Sequence, residues 1–213
     1  MAVFPLFINL KGKRCVIIGG GNVAERKIKV LLSFEPELVV ISPIATSEIK
    51  KLHSQGAIIY INDTYHQKYL DNAHLVIAAT SENQLNETIY REAVRRQLMI
   101  NVVDDPEKCT FIFPSIIQRD DLVIGISTSG SFPALSRKIR EKIEQVVPAI
   151  CENTMRILKT CRKRAGMEVP NPEQRSEMLN QIAAALVSGA VSTSDELHQL
   201  IDNKFREFTC ENN

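Results

Sequence analysis

The residues best suited to chemistry are a run of glycines and a pair of carboxylates. Gly19-Gly20-Gly21-Asn22-Val23-Ala24 fits the spacing G-x-G-x-x-[GA], directly after the apolar run Cys15–Ile18 and at the start of a helical pattern. In that setting the spacing is that of a dinucleotide-binding turn. Gly19 allows the tight turn, Gly21 lets the main chain approach a pyrophosphate without a Cβ, and Ala24 permits close packing of helix on strand. The first helical N–H groups then point at the anion, aided by the helix dipole. Asp104 and Asp105 follow a second apolar run, Met99–Val103. A carboxylate just past the carboxyl end of a strand lies where open α/β sheets bind ligands, and it can accept a proton. The plainer reading of this pair is a turn before Pro106.

One expected feature is absent. The second strand of such a fold normally ends in an acidic residue for the ribose hydroxyl, but the chain reads Ile41-Ser42-Pro43-Ile44. Ser42 and nearby backbone groups are the alternative ribose contacts. No arginine stands there for a 2′-phosphate, so NAD is expected over NADP.

The elements that must position these groups alternate regularly. Short apolar runs at Cys15–Ile18, Leu38–Ile41, Ala57–Ile61, Leu75–Ala79 and Met99–Val103 read as buried strands. Helical patterns at Asn22–Phe34, Thr46–Ser54 and Asn83–Arg96 separate them. Such alternation predicts a parallel sheet with right-handed crossovers. After Asp104 the rhythm changes. Thr110–Gln118 and Leu122–Ser127 read as an antiparallel hairpin closed by Arg119-Asp120-Asp121. A Ser-Gly turn, Ser127–Ser131, leads into a helix from about Pro133 to Gln145, and the remainder is helical. Asn171-Pro172-Glu173 reads as a helix cap, Thr193-x-x-Glu196 as a capping box, and Gly166–Pro172 as a break between helices. The fold class is therefore α/β: a Rossmann-type domain over residues 1–112, a β-rich region over 113–147 and a small C-terminal helical domain over 148–213.

Bulk properties narrow the function classes. With 44% hydrophobic and 24% charged residues the chain belongs with ordinary globular proteins. A net charge of +1 argues against a nucleic-acid binder held by bulk electrostatics. Cys15, Cys109, Cys151, Cys161 and Cys210 are odd in number, scattered and without a C-x-x-C pair, so neither a disulfide framework nor a zinc site is expected. His53, His66, His74 and His198 lack metal-ligand spacing, and His66 and His74 read as surface or loop residues. No membrane-length apolar run or leader pattern occurs, which places the expected protein in the cytoplasm.

Several segments together resemble one family. They are Phe4-Pro5-Leu6-Phe7, the run Gly19 to Lys27, Ala78-Ala79-Thr80, Asn101-Val102-Val103-Asp104, Phe111-Ile112-Phe113-Pro114-Ser115-Ile116 and Ile126-Ser127-Thr128-Ser129-Gly130. The set is similar to the precorrin-2 dehydrogenase and sirohydrochlorin ferrochelatase family of sirohaem synthesis, over nearly all of the first 150 residues. The resemblance implies a homodimer, with the β-rich region as its dimerisation element, in which NAD⁺ oxidises the tetrapyrrole precorrin-2 to sirohydrochlorin. Some members then insert Fe²⁺, there a substrate, to give sirohaem. Bifunctional relatives carry a fused methyltransferase, for which 213 residues leave no room. Carried over by motif, the nucleotide contacts fall on Asn22, Val23, Pro43 and Ile44, and Asp104 matches the catalytic aspartate; Thr80, at the end of Ala78-Ala79-Thr80, is a further cofactor-binding candidate. Thr128 stands where some members have a serine that can be modified. It keeps the hydroxyl, but the modification does not carry over.

A substrate rich in carboxylates calls for cations and N–H donors. The turn Ser127, Thr128, Ser129, Gly130 and the following helix with Arg137, Lys138 and Arg140 are the candidates, together with a second basic run from Arg156 to Arg164. Both helices also read as solvated amphipathic faces. The alternative to an enzyme is an NAD-sensing regulatory module without tetrapyrrole turnover. The β-rich segment and Ser-Gly turn after Asp104 count against it.

Overall fold

The computed structural model describes residues 2–119, 121–147 and 153–210. The expected 147/148 domain boundary, Cys151, Asp120 of the hairpin turn and the Cys210 side chain lie outside the described part. Two compact units emerge, residues 1–113 with 127–133, and residues 114–126 with 134–213.

The first unit is built on a parallel sheet of order β3-β2-β1-β4-β5, with β1 Arg14–Ile18, β2 Glu37–Ile41, β3 Ile59–Ile61, β4 Leu75–Ala78 and β5 Met99–Val102. Helices α1 Asn22–Leu32, α2 Ser47–Ser54 and α3 Asn83–Arg95 connect the strands. The register aligns Ile18 with Ile41 on one side and with Ala78 on the other, so three strands end together. Their near-continuous apolar composition follows from burial on both faces. Cys15, Ile17, Val40 and Ile77 pack towards Ala24, Ile28 and Leu31 of α1 and Ile49 of α2. Val16, Val39, Val76 and Ile100 pack on the other side with Ile89 and Ala93 of α3. Burial pushes the Cys15 thiol up to about 11, so it behaves as a small core residue.

The second unit pairs β6 Ser115–Arg119 with β7 Leu122–Ile126 in an antiparallel hairpin. It continues through α4 Pro133–Val146, whose first residue falls in the first unit, α5 Thr154–Glu168, α6 Pro172–Val187 and α7 Ser194–Cys210. Ile157, Cys161, Met178, Ile182, Leu197 and Phe205 form its core. Asn171 caps α6 by accepting from the Glu173 and Gln174 amides, and Thr193 with Glu196 closes the capping box before α7.

Two elements differ from the sequence reading. The hairpin strand begins at Ser115 rather than Thr110, because Thr110 and Phe111 turn their amides to the Ile100 carbonyl and cover the exposed edge of β5. The break between α5 and α6 spans only Val169–Asn171, so Gly166 lies within α5. A glycine inside a helix costs about 1 kcal/mol relative to alanine, and α5 continues through it with Ile157, Cys161, Ala165 and the following Val169 packed in the core.

Glu92 of α3 is the most heavily committed carboxylate of the first unit. Its side chain is 7% exposed. It accepts from Arg95 at 2.6 and 3.0 Å and from Arg96, which also binds Asp71 at 2.6 Å. Those guanidiniums hold the carboxyl down at about 2. A carboxyl depressed on folding stabilises the native state above its unfolded value of 4.5, and that stability is lost as pH falls towards 2. Glu92→Gln is therefore expected to lower the Tm at neutral pH. The gap from wild type should close between those two values, as thermal melts across that range would reveal.

Candidate dinucleotide site

Sheet order reverses between β1 and β4, and the crevice outside their carboxyl ends is where open sheets of this kind hold ligands. The glycine loop lies at that point. Gly19 has φ +116°, and a Cβ there would stand 2.3 Å from the Ala79 carbonyl oxygen at the end of β4. At Gly20 a Cβ would stand 2.3 Å from the Ile44 oxygen and 2.9 Å from Ala45 Cα. The loop is thus wedged between the ends of β2 and β4, main chain against main chain, with Thr46 N donating to Gly20 O at 3.0 Å. Gly21 is the contrary case. It has φ −83° and ψ −177°, open to any residue, and a Cβ there meets no atom within 4 Å.

Helix α1 starts at once from this loop. Its first regular bond is Glu25 N to Gly21 O at 3.0 Å, and no side chain caps it. The amides of Asn22, Val23 and Ala24 lie before that bond and have no partner within the helix. An uncapped N-terminus behind a glycine whose Cβ direction is open is a cradle for phosphate. The residues present fit a dinucleotide.

At the end of β2, Pro43 and Ile44 are exposed, Ile44 at 80%. Ser42 is buried and its hydroxyl donates to Ile44 O at 2.7 Å, while Tyr60 Oη donates to Ser42 O at 3.0 Å. At the end of β4, the Thr80 hydroxyl donates to Asn86 Oδ1 at 2.8 Å, and Asn86 Nδ2 returns to Thr80 O at 3.0 Å. The polar atoms of Ser42 and Thr80 thus shape their own turns, and the exposed groups beside the loop are Asn22, Pro43 and Ile44.

Asp104 occupies the turn after β5 with φ +61°, a left-handed conformation that aspartate tolerates better than most residues. Val103 N donates to Ala78 O at 2.9 Å, bringing this turn alongside the end of β4. Its neighbour Asp105 is committed to Lys108 at 2.9 Å, which also binds Glu87 at 2.9 Å. Asp104 is exposed, and among the described residues no hydrogen bond or ion pair holds its carboxylate. The Ser127–Gly130 turn belongs to the same unit, with Gly130 at φ +81° packed on Pro106 just beyond Asp104. Ser129 N donates to Ser127 Oγ at 3.0 Å, and Phe132 N to Thr128 Oγ1 at 3.1 Å. Arg137 lies exposed on α4 in the other unit, where Lys138 and Arg140 pair with Glu141 and Glu144. No cluster of three metal-ligating side chains occurs among the described residues, and none of their helices is long and apolar enough to cross a membrane.

Two participants carry no signal in the G-x-G-x-x-[GA] pattern. Gly20 occupies an unspecified position yet makes the tightest contact with β2. Lys27 lies on α1, where its ammonium donates to Asn101 Oδ1 at 3.2 Å and sits 4.2 Å above the Phe113 ring. Burial brings its pKa down to about 8 against the opposing fields of Cys109 and Asp104. Its spacing on α1 is that of any flanking lysine, so only the fold reveals the setting.

These features define a dinucleotide-binding α/β protein. Residues 6–115 match the model of the family described as "Putative NAD(P)-binding", and the chain belongs to that family. It is 37% identical over 181 residues to "Siroheme synthase" of Photorhabdus laumondii subsp. laumondii, covering 85% of this chain and 38% of the relative. "Siroheme synthase" of Photobacterium profundum is 34% identical over 196 residues, 92% of this chain and 42% of its own length. The chain thus spans about two fifths of the length of these curated relatives. A solved structure named "SirC, precorrin-2 dehydrogenase" shares the fold at TM-score 0.75 and 19% identity, covering 95% of this chain and 98% of that one.

The glycine contacts predict opposite phenotypes. Gly20→Ala drives a Cβ into backbone and should cost about 3 kcal/mol of stability in denaturant melts. Gly21→Ala should leave the melt unchanged but weaken NAD binding at least about tenfold by calorimetry, since its Cβ enters the phosphate cradle.

Proposed function

We propose that this chain oxidises precorrin-2 to sirohydrochlorin with NAD⁺, working as a cytoplasmic homodimer, and that it also assists Fe²⁺ insertion to give sirohaem. The observation that carries the reading is the Asp104 carboxylate. It is held in a left-handed turn beside the nucleotide crevice, with no hydrogen-bond or ion-pair partner among the described residues, while the next residue, Asp105, is paired with Lys108. A carboxylate kept out of ion pairs remains available to a ligand.

Asn22, Val23 and Ala24 amides hold the pyrophosphate, Gly21 admits it, and Pro43 and Ile44 line the adenosine side, with Ser42 and Thr80 shaping the flanking turns. Bound there, the nicotinamide supplies a hydride acceptor. Loss of hydride from the macrocycle must be matched by loss of a proton, and Asp104 takes that proton as general base. The balance is precorrin-2 plus NAD⁺ to sirohydrochlorin plus NADH and a proton. NAD is favoured over NADP because no cation follows β2 at Ser42-Pro43-Ile44. For iron insertion the metal, as substrate, displaces two pyrrole protons, which the same carboxylate accepts one at a time and passes to solvent. The Ser127–Gly130 turn, packed on Pro106, offers donors for substrate carboxylates. The printed names of the relatives and the motif set of the first 150 residues support the same reaction.

The test is an anaerobic assay with enzymatically generated precorrin-2 and NAD⁺, following NADH and sirohydrochlorin together before Fe²⁺ is added. NADH and sirohydrochlorin should rise in step, and Asp104→Asn should lower kcat by about 100-fold or more with NAD affinity unchanged. An Asp104→Asn enzyme of normal rate removes Asp104 from the chemistry. Tight NAD binding by wild type with no oxidation would favour the NAD-sensing alternative.

A further inference from the structure

An ammonium half-buried in a protein is ordinarily paired with a carboxylate, because desolvation costs more than neutral groups return. Lys27 breaks that pattern. No ion pair reaches it among the described residues, and its fixed neighbours are a neutral amide oxygen and an aromatic ring. The charged and titratable groups that face it are Asp104 and Cys109 from the segment after β5 and Arg26 from its own helix.

The amide that Lys27 grips is itself a tie across the Asp104 turn. Asn101 is 6% exposed and lies in β5, three residues before Asp104. Its Nδ2 donates to Phe111 O at 3.2 Å and to Cys109 Sγ at 3.4 Å, on the chain returning from the turn. With both amide hydrogens so used, Oδ1 is left to face the ammonium. Cys109 completes the tie. Its sulfur accepts from Val102 N at 3.2 Å, and its S–H lies within reach of Val102 O at 3.3 Å and Asp105 O at 3.2 Å. The left-handed residue thus lies between anchors whose hydrogen-bond network ends on Lys27.

We propose that Lys27 is a positioning residue for Asp104: through Asn101 and Phe113 its ammonium clamps both ends of the 103–109 turn and presents a fixed positive charge to the carboxylate that takes the substrate proton. The proposal rests on the reading of Asp104 as base. An anchor needed only for packing would be served by methionine, which fills similar space without a desolvation cost. Charge matters here twice. A hydrogen bond from a cation is roughly twice as strong as one between neutral groups, and the Phe113 ring attracts a cation more strongly than a neutral amine. Both weaken when Lys27 loses its proton, near pH 8. Turnover then acquires an alkaline limb from a residue that never touches substrate.

The experiment uses the whole chain as wild type, Lys27→Met and Lys27→Arg. It measures kcat for precorrin-2 oxidation, the NAD Kd, and amide hydrogen exchange of residues 103–109 corrected for intrinsic rate, from about pH 6 to about pH 9.5. Lys27→Met should lower kcat about 100-fold, as misplacement by an ångström does, with the NAD Kd within about threefold and exchange faster in 103–109. Lys27→Arg should return kcat to within about tenfold of wild type and remove the alkaline limb, because arginine does not titrate in this range. Wild-type kcat and exchange in Lys27→Met, or an alkaline limb that persists in Lys27→Arg, overturns the proposal. If wild type oxidises no precorrin-2, the base reading fails by itself and exchange decides Lys27. Faster exchange in Lys27→Met that arginine reverses supports the clamp, and unchanged exchange sinks it. Should Lys27→Met not fold, Lys27→Arg decides through the limb, or through exchange at pH 9 where wild type should loosen and the arginine variant should not.

Discussion

Three strand ends meet at a contact of main chain on main chain, and the carboxyl edge of the sheet depends on it. Gly19 lies against the Ala79 carbonyl and Gly20 against Ile44 and Ala45, at separations no side chain would permit. Because β1 pairs with both β2 and β4, closing these gaps brings the end of β2, the glycine loop and the end of β4 to one rim. Only then does Gly21 face open space with an uncapped helix behind it. The cradle is what remains when everything else at this edge has been packed.

Charge across the first unit is arranged by commitment and its absence. Glu92 is gripped by two arginines, Asp105 and Glu87 share Lys108, and Glu25 pairs with Lys29. Among the described residues neither the exposed Asp104 carboxylate nor the Lys27 ammonium has an ion-pair partner, and Lys27 lacks one while half-buried. Asp104 and Lys27 feel one another's fields, and a hydrogen-bonded amide and thiol join their segments. Sites for proton transfer need groups in defined places that are not already consumed by structure. The left-handed turn at Asp104 is flanked by the hydrogen bonds of Asn101 and Cys109.

The second unit solves a different problem. Its helices α5 to α7 close over Ile157, Met178, Ile182 and Phe205, with Arg164 laid on the Phe205 ring at 4.0 Å and tied to Glu168 and Asp202. An apolar cavity of about 420 Å³ remains between Leu158, Leu179, Leu186 and Leu197, with Leu122 of β7 at its wall. The basic run on α5 is partly spent on internal pairs, Lys159 with Asp121 among them, as expected of a solvated helix face.

Periodicity and composition by themselves determined the parallel sheet, the glycine turn and its place after β1, because a strand buried on both faces must be apolar throughout and a close backbone approach demands glycine. They placed Asp104 after β5, but left its role to the family resemblance. The capping signals at Asn171 and Thr193 read correctly because capping is local chemistry. What only tertiary structure decided lies in contacts between residues far apart in the chain. Thr110 and Phe111 abandon the hairpin to cover β5, an edge that does not exist until the sheet forms. Gly20 is obligatory because Ile44 arrives from the turn after β2, and Lys27 is distinctive because Asn101, 74 residues away, arrives beneath it. One-dimensional spacing records the neighbours along an element. The desolvation and crowding that give these residues their roles come from neighbours across elements, and those exist only once the chain has folded.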